Sequence, residues 1–310
     1  MNLAFAGTPE FAETILRGLL ASEHNVELVV SQPDARRGRG RKLYPPPVAE
    51  LAEAEGIPLR QPSRIAEVAH EIGACDALIV AAYGQILGPD TLYAAAHDAW
   101  NVHASLLPAY RGAAPVERAI LNGEAESGVS IIKMDEGLDT GPVALREKTA
   151  IAPQMTAGEL REILARLGAK AIVEVLHRLE AGTLALEEQD PGGATYASKL
   201  GSGDRVIQWN LPARRIKDQV RALAPDIGAQ AVHPNFNGPI KILGASIAAG
   251  DAEPLDASQA GVISNEENSI LVQCGEGVLR IERLQAPGGK PLDSEAFLLG
   301  HTLEGAFVVS

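Results

Sequence analysis

The segment Asp76-Ala77-Leu78-Ile79-Val80-Ala81-Ala82 constrains this chain more than any other. Its apolar residues follow one another without alternation, so a strand built from them presents hydrocarbon on both faces. A strand with one face in water would alternate with a period of two. The run therefore predicts a central strand of a layered α/β domain, with helices above and below the sheet. The flanking sequence agrees. An apolar strand at 2–6 leads into Gly7-Thr8-Pro9 and then a helical pattern with Phe11, Ile15, Leu19 and Leu20 on one face. Thr8 fits its N-cap and Pro9 its first turn. Strands are expected at 26–31, 57–60, 76–82, 99–102, 128–134 and 143–149. Helices are expected at 48–55, 64–72, 115–122 and 157–182. Strands alternating with helices predict a doubly wound, mostly parallel sheet.

The pattern changes after about residue 188. Asp190-Pro191-Gly192-Gly193 opens a stretch with little periodicity. A helix at 211–223 follows, then short strand-like pieces near 229–233, 239–248, 260–264, 269–274 and 277–284, separated by Gly, Asn and Pro. These predict a small β-barrel or sandwich. A first domain at 1–189, a linker at 190–206 and a second domain at 207–310 are expected. The 310 residues suit two domains at ~150 residues each. Aromatic residues are 4% of the chain, so the core must be built from Ala, Val, Ile and Leu. The N-terminus has no basic region followed by a long apolar one, and no run approaches the ~18 apolar residues of a membrane span. Cys75 and Cys274 are too few and too far apart for a zinc cluster or a disulfide framework. A soluble, reduced, cytoplasmic protein is expected, without membrane association and as a monomer.

Charge is uneven. The whole chain carries 27 Lys and Arg against 40 Asp and Glu, a net charge of −13, which argues against indiscriminate nucleic-acid binding. Yet Asp34-Ala35-Arg36-Arg37-Gly38-Arg39-Gly40-Arg41-Lys42 sets five positive charges against one negative. Residues 204–221 hold Arg205, Arg214, Arg215, Lys217 and Arg221 against Asp204 and Asp218. Guanidinium groups on a glycine-rich loop can reach phosphates. Two local basic patches on an acidic chain point to selective contact with a polyanion.

Three turns could carry chemistry. Gly7-Thr8-Pro9-Glu10-Phe11 has one glycine where a dinucleotide fingerprint needs three, and no G-x-x-x-x-G-K-[ST] occurs, so a nicotinamide or P-loop site is not expected. Asn101 and His103 lie two apart at the C-terminal end of a strand. Period-2 alternation points both side chains the same way, at the sheet edge where open α/β folds bind ligands. An amide donor beside an imidazole can stabilise an oxyanion. In Met134-Asp135-Glu136-Gly137-Leu138-Asp139-Thr140-Gly141, Asp139 lies between two glycines and could orient His103. Taken singly, an N-x-H pair and a D-x-G turn are more often structural than catalytic. Three carboxylates so close together also raise a metal site, which is set aside because no His or Cys is near in sequence.

In combination these segments resemble the methionyl-tRNA formyltransferases over nearly the whole chain. The resemblance runs from Phe5-Ala6-Gly7-Thr8-Pro9-Glu10-Phe11-Ala12 through Gln32-Pro33-Asp34 with Gly38-Arg39-Gly40, and through Ala82-Tyr83-Gly84. It is strongest at Asn101-Val102-His103-Ala104-Ser105-Leu106-Leu107-Pro108 with Tyr110-Arg111-Gly112-Ala113-Ala114-Pro115, and ends at Met134–Gly141. It implies a Rossmann-like domain that binds 10-formyltetrahydrofolate and an OB-fold-like barrel that helps hold initiator methionyl-tRNA. It places the catalytic residues at Asn101, His103 and Asp139, with no metal. It places the folate contact at Ser105, Leu106, Leu107 and Pro108. The basic loop with Arg36, Arg37, Arg39, Arg41 and Lys42 corresponds to the one that reaches the tRNA acceptor stem. At Arg221–Ala229 the chain keeps Pro225 and Gly228 but not the family's usual aromatics. A formyltransferase acting on a nucleotide-sugar amine or on glycinamide ribonucleotide would share the Asn/His/Asp core, and the basic loop favours tRNA. A non-catalytic folate- or RNA-binding module would not need that core, and a Rossmann oxidoreductase would need the missing glycines.

Overall fold

The computed structural model describes residues 1–37, 42–248, 259–266 and 269–309. In chain order the first half forms β1 (Asn2–Gly7), α1 (Glu10–Leu20), β2 (Asn25–Val30), β3 (Ala35–Arg37), β4 (Lys42–Tyr44), α2 (Pro47–Ala54) and β5 (Leu59–Arg60). A 3-10 turn at Ile65–Val68 leads into α3 (Ala69–Ile72), then β6 (Ala77–Ala81), α4 (Pro89–Leu92), β7 (Ala99–His103), β8 (Arg111–Gly112), α5 (Pro115–Leu121), β9 (Glu126–Lys133), β10 (Val143–Ala150) and α6 (Ala157–Glu180). Then come β11 (Tyr196–Ala197), α7 (Ala213–Leu223), β12 (Ala229–Ala231), β13 (Ile240–Ile247), β14 (Ile263–Glu266), β15 (Ser269–Gln273), β16 (Val278–Gln285), β17 (Pro291–Asp293) and α8 (Ser294–Gly300). Two compact units result. One holds Met1–Pro115, Glu126–Ala150 and Arg161–Ser198, and the other Val116–Ala125, Ile151–Leu160 and Lys199–Ser310.

The first unit is built on a seven-stranded sheet ordered β10-β9-β7-β6-β1-β2-β5. From β7 to β5 every pairing is parallel, while β9 runs antiparallel to β7 and β10 antiparallel to β9. This is the doubly wound, mostly parallel sheet that the apolar run predicts, and β6 is buried at every residue. Alternate residues feed two cores. Ala4, Ala6, Leu28, Val30, Leu78 and Val80 pack with Ile65, Val68, Ile72 and Leu92 on one face. Leu3, Phe5, Val29 and Ile79 are equally buried and belong to the other face by the strand period. There Gly168 of α6 lies against Val102 and Ile15, an approach that a larger side chain would block. The strand order reverses beside β1, so the C-terminal ends of β1, β6 and β7 flank the crevice that such sheets use for ligands.

Local chemistry differs from expectation in a few places. Pro9 is the N-cap of α1 and no side chain caps it. Thr8 Oγ1 donates instead to the Tyr83 carbonyl at 2.9 Å, tying the end of β1 to the end of β6. Gly7 is held to glycine by packing, since a Cβ there would lie 2.6 Å from Ala12 Cβ. The helix expected over 64–72 is a 3-10 turn followed by the single turn of α3. The loop from Gln32 to Pro47 contains a short antiparallel ribbon, with Ala35 opposite Tyr44 and Arg36 opposite Leu43.

The second unit carries an antiparallel sheet ordered β12-β13-β16-β15-β14, with β17 added to β16. Its core contains Ile216, Val220 and Leu223 of α7 with Ile240, Ile242, Ile270, Val272, Leu279, Ile281, Trp209, Phe297 and Phe307. Trp209 stacks on Phe307 with ring centroids 4.9 Å apart. Few aromatics occur in the chain, and several of them gather here.

Candidate active site

The end of β7 supplies the first two candidate side chains. Asn101 is in register with Ile132 of β9, and His103 with Ser130. Being two residues apart they share a face, and both meet the loop between β9 and β10. That loop folds back on β9. A Cβ at Gly141 would collide with the Lys133 carbonyl, so glycine is required for the return. Asp135 closes the turn, accepting from Gly137 N at 3.0 Å and from Thr140 Oγ1 at 2.7 Å. Asp139 sits at φ +53°, a left-handed conformation uncommon for a residue with a Cβ.

The Asp139 carboxylate gathers the site. Oδ1 accepts from Asn101 Nδ2 at 3.3 Å, and Oδ2 accepts from the backbone N–H of Gly112 at 2.8 Å. His103 Nδ1 lies 3.6 Å from Oδ2, an ion-pair distance too long for a hydrogen bond. His103 is 5% exposed, and its Nε2 is 2.9 Å from the Tyr110 carbonyl. A carbonyl can only accept, so Nε2 carries a hydrogen and Nδ1 is the nitrogen that faces the carboxylate. Asn101 and His103 thus both meet Asp139, which lies far from them in sequence. Two backbone groups complete the set, the Tyr110 carbonyl and the Gly112 amide. Sequence reasoning missed both because backbone roles leave no residue-type signal. Of the three carboxylates in this loop, Asp135 is spent on the turn and Glu136 is exposed. Among the described residues no group of three or more His, Cys, Asp or Glu side chains is placed to hold a metal ion.

Ser105, Leu106, Leu107 and Pro108 leave β7 along the same edge. Ser130 Oγ accepts from Leu107 N at 3.0 Å and donates to the Ser105 carbonyl at 2.7 Å, both contacts buried. Arg146 Nε on β10 donates to the Leu107 carbonyl at 2.8 Å, and Ser105 Oγ donates to the Ala109 carbonyl at 2.6 Å. The segment is held from β9 and β10, and its backbone path is fixed. The Tyr83 carbonyl receives Thr8 Oγ1 and, at 3.2 Å, Gln32 Nε2, which joins the ends of β1, β2 and β6. Tyr83 itself is buried, and burial together with the nearby charge of Glu67 pushes its phenol up to about 12.

The basic loop is placed only in part. Arg36 and Lys42 are exposed on the β3–β4 ribbon, and Arg37 pairs with Lys42 in its register. Arg39 and Arg41 lie outside the described residues. Leu43 and Tyr44 of β4 are also exposed, apolar side chains on the same ribbon as the cations that sequence reasoning did not single out. No helix among the described residues is long and apolar enough to cross a membrane.

Residues 1–176 match the formyl transferase family, and residues 199–302 match the formyl transferase C-terminal domain. The methionyl-tRNA formyltransferase of Rubrobacter xylanophilus is 58% identical over 306 residues, covering 99% of this chain and 99% of that one. The methionyl-tRNA formyltransferase of Chromobacterium violaceum is 43% identical, covering 98% and 97%. Among solved structures, the N-formyltransferase of Helicobacter canadensis in complex with folinic acid and dTDP-3-aminofucose superposes with a TM-score of 0.67. It is 19% identical and covers 90% of this chain and 98% of its own. HypX of Aquifex aeolicus, in complex with tetrahydrofolic acid, gives the same TM-score at 15% identity, covering 96% and 46%.

Proposed function

The chain belongs to the formyl transferase family, and within it to the methionyl-tRNA formyltransferases, and from that premise we infer how its residues divide the reaction. The enzyme moves a formyl group from a folate carrier to the α-amino group of methionyl-tRNA. We take the donor to be 10-formyltetrahydrofolate and the acceptor to be the initiator tRNA, so that the product is formylmethionyl-tRNA for translation initiation. The observation that supports this assignment of roles is the convergence of Asn101, His103 and the Gly112 amide on the Asp139 carboxylate at the sheet's ligand-binding edge.

The neutral methionyl amine attacks the formyl carbon. A C–N bond forms, the C=O π pair moves to oxygen, and a tetrahedral intermediate with an oxyanion results. Asn101 spends one amide hydrogen on Asp139, which leaves the other for that oxyanion. His103 holds Nε2 against Tyr110 and keeps Nδ1 as the nitrogen available beside the reacting centre. The nitrogen that attacked must lose a proton. Asp139 and His103 receive it as a pair and pass it to N10 of the carrier as the C–N10 bond breaks. One proton thus moves from amine to leaving group, with no net gain or loss. Ser105–Pro108 lie against the folate, and Arg36, Arg37, Arg39, Arg41 and Lys42 meet the acceptor stem. Residues 1–189 hold the donor, 190–206 connect, and 207–310 help hold the tRNA. The enzyme works as a monomer in the cytoplasm and uses no metal.

Formyl transfer to charged initiator tRNA, with elongator methionyl-tRNA as control, tests the reading. Asp139→Asn and His103→Ala should each lower kcat by at least ~10²-fold, as loss of one such group typically does. Reversing Arg39 and Arg41 to Glu should abolish transfer to tRNA and spare folate binding. Folate binding with no transfer to either tRNA would move the acceptor to a sugar or nucleotide amine. Normal kinetics in the Arg39/Arg41 variant would remove the loop from the tRNA contact.

A further inference from the structure

We propose that Gln189 is a positioning residue for formyl transfer, one that sets the geometry of Asp139 and His103 without touching either substrate. This rests on the reading that Asn101, His103 and Asp139 carry the chemistry. Gln189 falls at the end of the first domain, just before a stretch expected to be a mere linker. It is 8% exposed, and its carboxamide is used in full. Nε2 donates to the carbonyl of Asp139 at 2.8 Å and to that of Gly141 at 2.7 Å. Oε1 accepts from Arg111 Nη2 at 2.7 Å and Nε at 3.2 Å.

Each end of this bridge holds half of the site. The Asp139 backbone is at φ +53°, a conformation that persists where surrounding contacts over-determine it. Gln189 grips the chain at that residue and again two residues on. At the other end, Arg111 lies between the two backbone groups that contact the catalytic side chains. The Tyr110 carbonyl takes His103 Nε2, and the Gly112 amide donates to Asp139 Oδ2. Arg111 is 6% exposed and has no carboxylate within ion-pair distance among the described residues, so a neutral amide oxygen takes the hydrogens of its Nε and Nη2. The following residues continue the same frame. Thr195 Oγ1 accepts from Tyr110 N at 2.8 Å, Thr195 O accepts from Arg111 N at 2.8 Å, and β11 pairs with β8. Residues 189–197 therefore act as a template against which the Asp139 loop and the Tyr110–Gly112 strand are set to each other. Side chains held by such supporting contacts keep a productive geometry, and a misplacement near 1 Å can cost ~10²-fold in rate.

The chemistry of the bridge allows a sharp test, because it needs a donor pair on one side and an acceptor on the other. Gln189→Glu keeps the grip on Arg111 but turns an oxygen toward the Asp139 and Gly141 carbonyls. Gln189→Ala removes both contacts. Steady-state kinetics in the full-length enzyme should show kcat lowered by about 10- to 100-fold in both variants. KM for the formyl-folate and for methionyl-tRNA should stay within about twofold. The imidazole ¹⁵N resonances of His103 should move, because its contact with Tyr110 is no longer fixed. Thr195 is exposed, so Thr195→Val will fold whatever happens at 189, and it should show the same kcat-selective loss at about three- to tenfold. A wild-type kcat in Gln189→Glu would overturn the proposal, since Gln189 would then serve Arg111 alone. Losses confined to KM or to thermal stability would also overturn it. Asp139→Asn separates the two readings. Were that variant active, the catalytic assignment itself would fail, whereas an inactive Asp139→Asn beside fully active Gln189 variants would sink this inference alone.

Discussion

Ser130 offers a direct measure of how the site's backbone is held. Its hydroxyl is fully buried and serves two main-chain groups at once, accepting from Leu107 N and donating to the Ser105 carbonyl. Ser130→Ala removes one oxygen and leaves a buried donor and a buried acceptor without that partner. Each such orphan costs about 1–3 kcal/mol, while alanine recovers little because the deleted atom was polar. With partial relaxation the expected loss is about 2–4 kcal/mol. For a folding unit of this size that lowers Tm by roughly 4–16 °C. The functional consequence should be equally specific. Ser105–Pro108 is the segment released, so KM for the formyl-folate should rise by about tenfold, with KM for methionyl-tRNA within twofold. Differential scanning calorimetry and two-substrate kinetics on the purified variant read both effects. A Tm within about 1 °C of wild type would refute the accounting of buried polar groups. A large Tm loss with an unchanged folate KM would remove this segment from the folate contact.

Gly141→Ala places a methyl group against the Lys133 carbonyl and pushes the Asp139 loop off β9. Activity should fall by about 10²-fold or more while the far-UV circular dichroism stays native, and near-normal turnover would show the loop to be more compliant than its contacts suggest. Arg118 donates to both oxygens of Asp204 at 2.7 and 3.0 Å and holds its carboxyl below the ordinary value of 3.8. A depressed native carboxylate contributes stability above its unfolded value and loses it as pH falls through the folded one. Asp204→Asn should therefore cost about 1 kcal/mol at pH 7 in urea titration, and the deficit should shrink as pH drops below about 4; a pH-independent deficit would refute the ionic account. Burial raises both thiols, that of Cys274 to about 12, so a disulfide reagent at pH 8 should label them no faster than the protein unfolds. Rapid labelling of the native enzyme would contradict that burial.

The large elements were legible because their apolar residues fall in a pattern, continuous or periodic. The run at 77–81 pointed to the central strand, the apolar face at Phe11, Ile15, Leu19 and Leu20 to α1, and the short pieces separated by Gly, Asn and Pro to the second unit's strands. That Asn101 and His103 share a face was legible in the strand's period, whereas their meeting with Asp139 was suggested only by the motifs in combination, since a D-x-G turn taken alone is more often structural. What escaped has no period to read. β8 and β11 are two residues each, and β17 is three. Pairing across more than eighty residues holds β8 to β11, and nothing local in Thr195-Tyr196-Ala197 announces it. Thr8 looked like a helix cap by residue type, but the nearby Tyr83 carbonyl claimed its hydroxyl, a tertiary contact overriding a local preference. The Asp190-Pro191-Gly192-Gly193 stretch looked like a linker by composition. Its neighbours Gln189 and Thr195 hydrogen-bond to the Asp139 loop and to Tyr110 beside β8.

The acceptor is not written in the fold. A sheet that brings an amide, an imidazole and a carboxylate to one strand end can activate any amine presented there, and a sugar N-formyltransferase shares the architecture at low identity. Selection must come from groups that touch the rest of the acceptor. The whole chain repels a polyanion at −13, so a tRNA has to be drawn by local charge. The loop at 34–42 sets five cations against one carboxylate, and its described part, the β3–β4 ribbon, presents Arg36 and Lys42 beside exposed Leu43 and Tyr44. Cations grip phosphate, and an aromatic beside them offers a base a surface to stack on. A nucleotide-sugar amine, with two phosphates, needs no charge so dense. On the proposed reading, then, acceptor choice falls to that loop, while the chemistry falls to the end of β7.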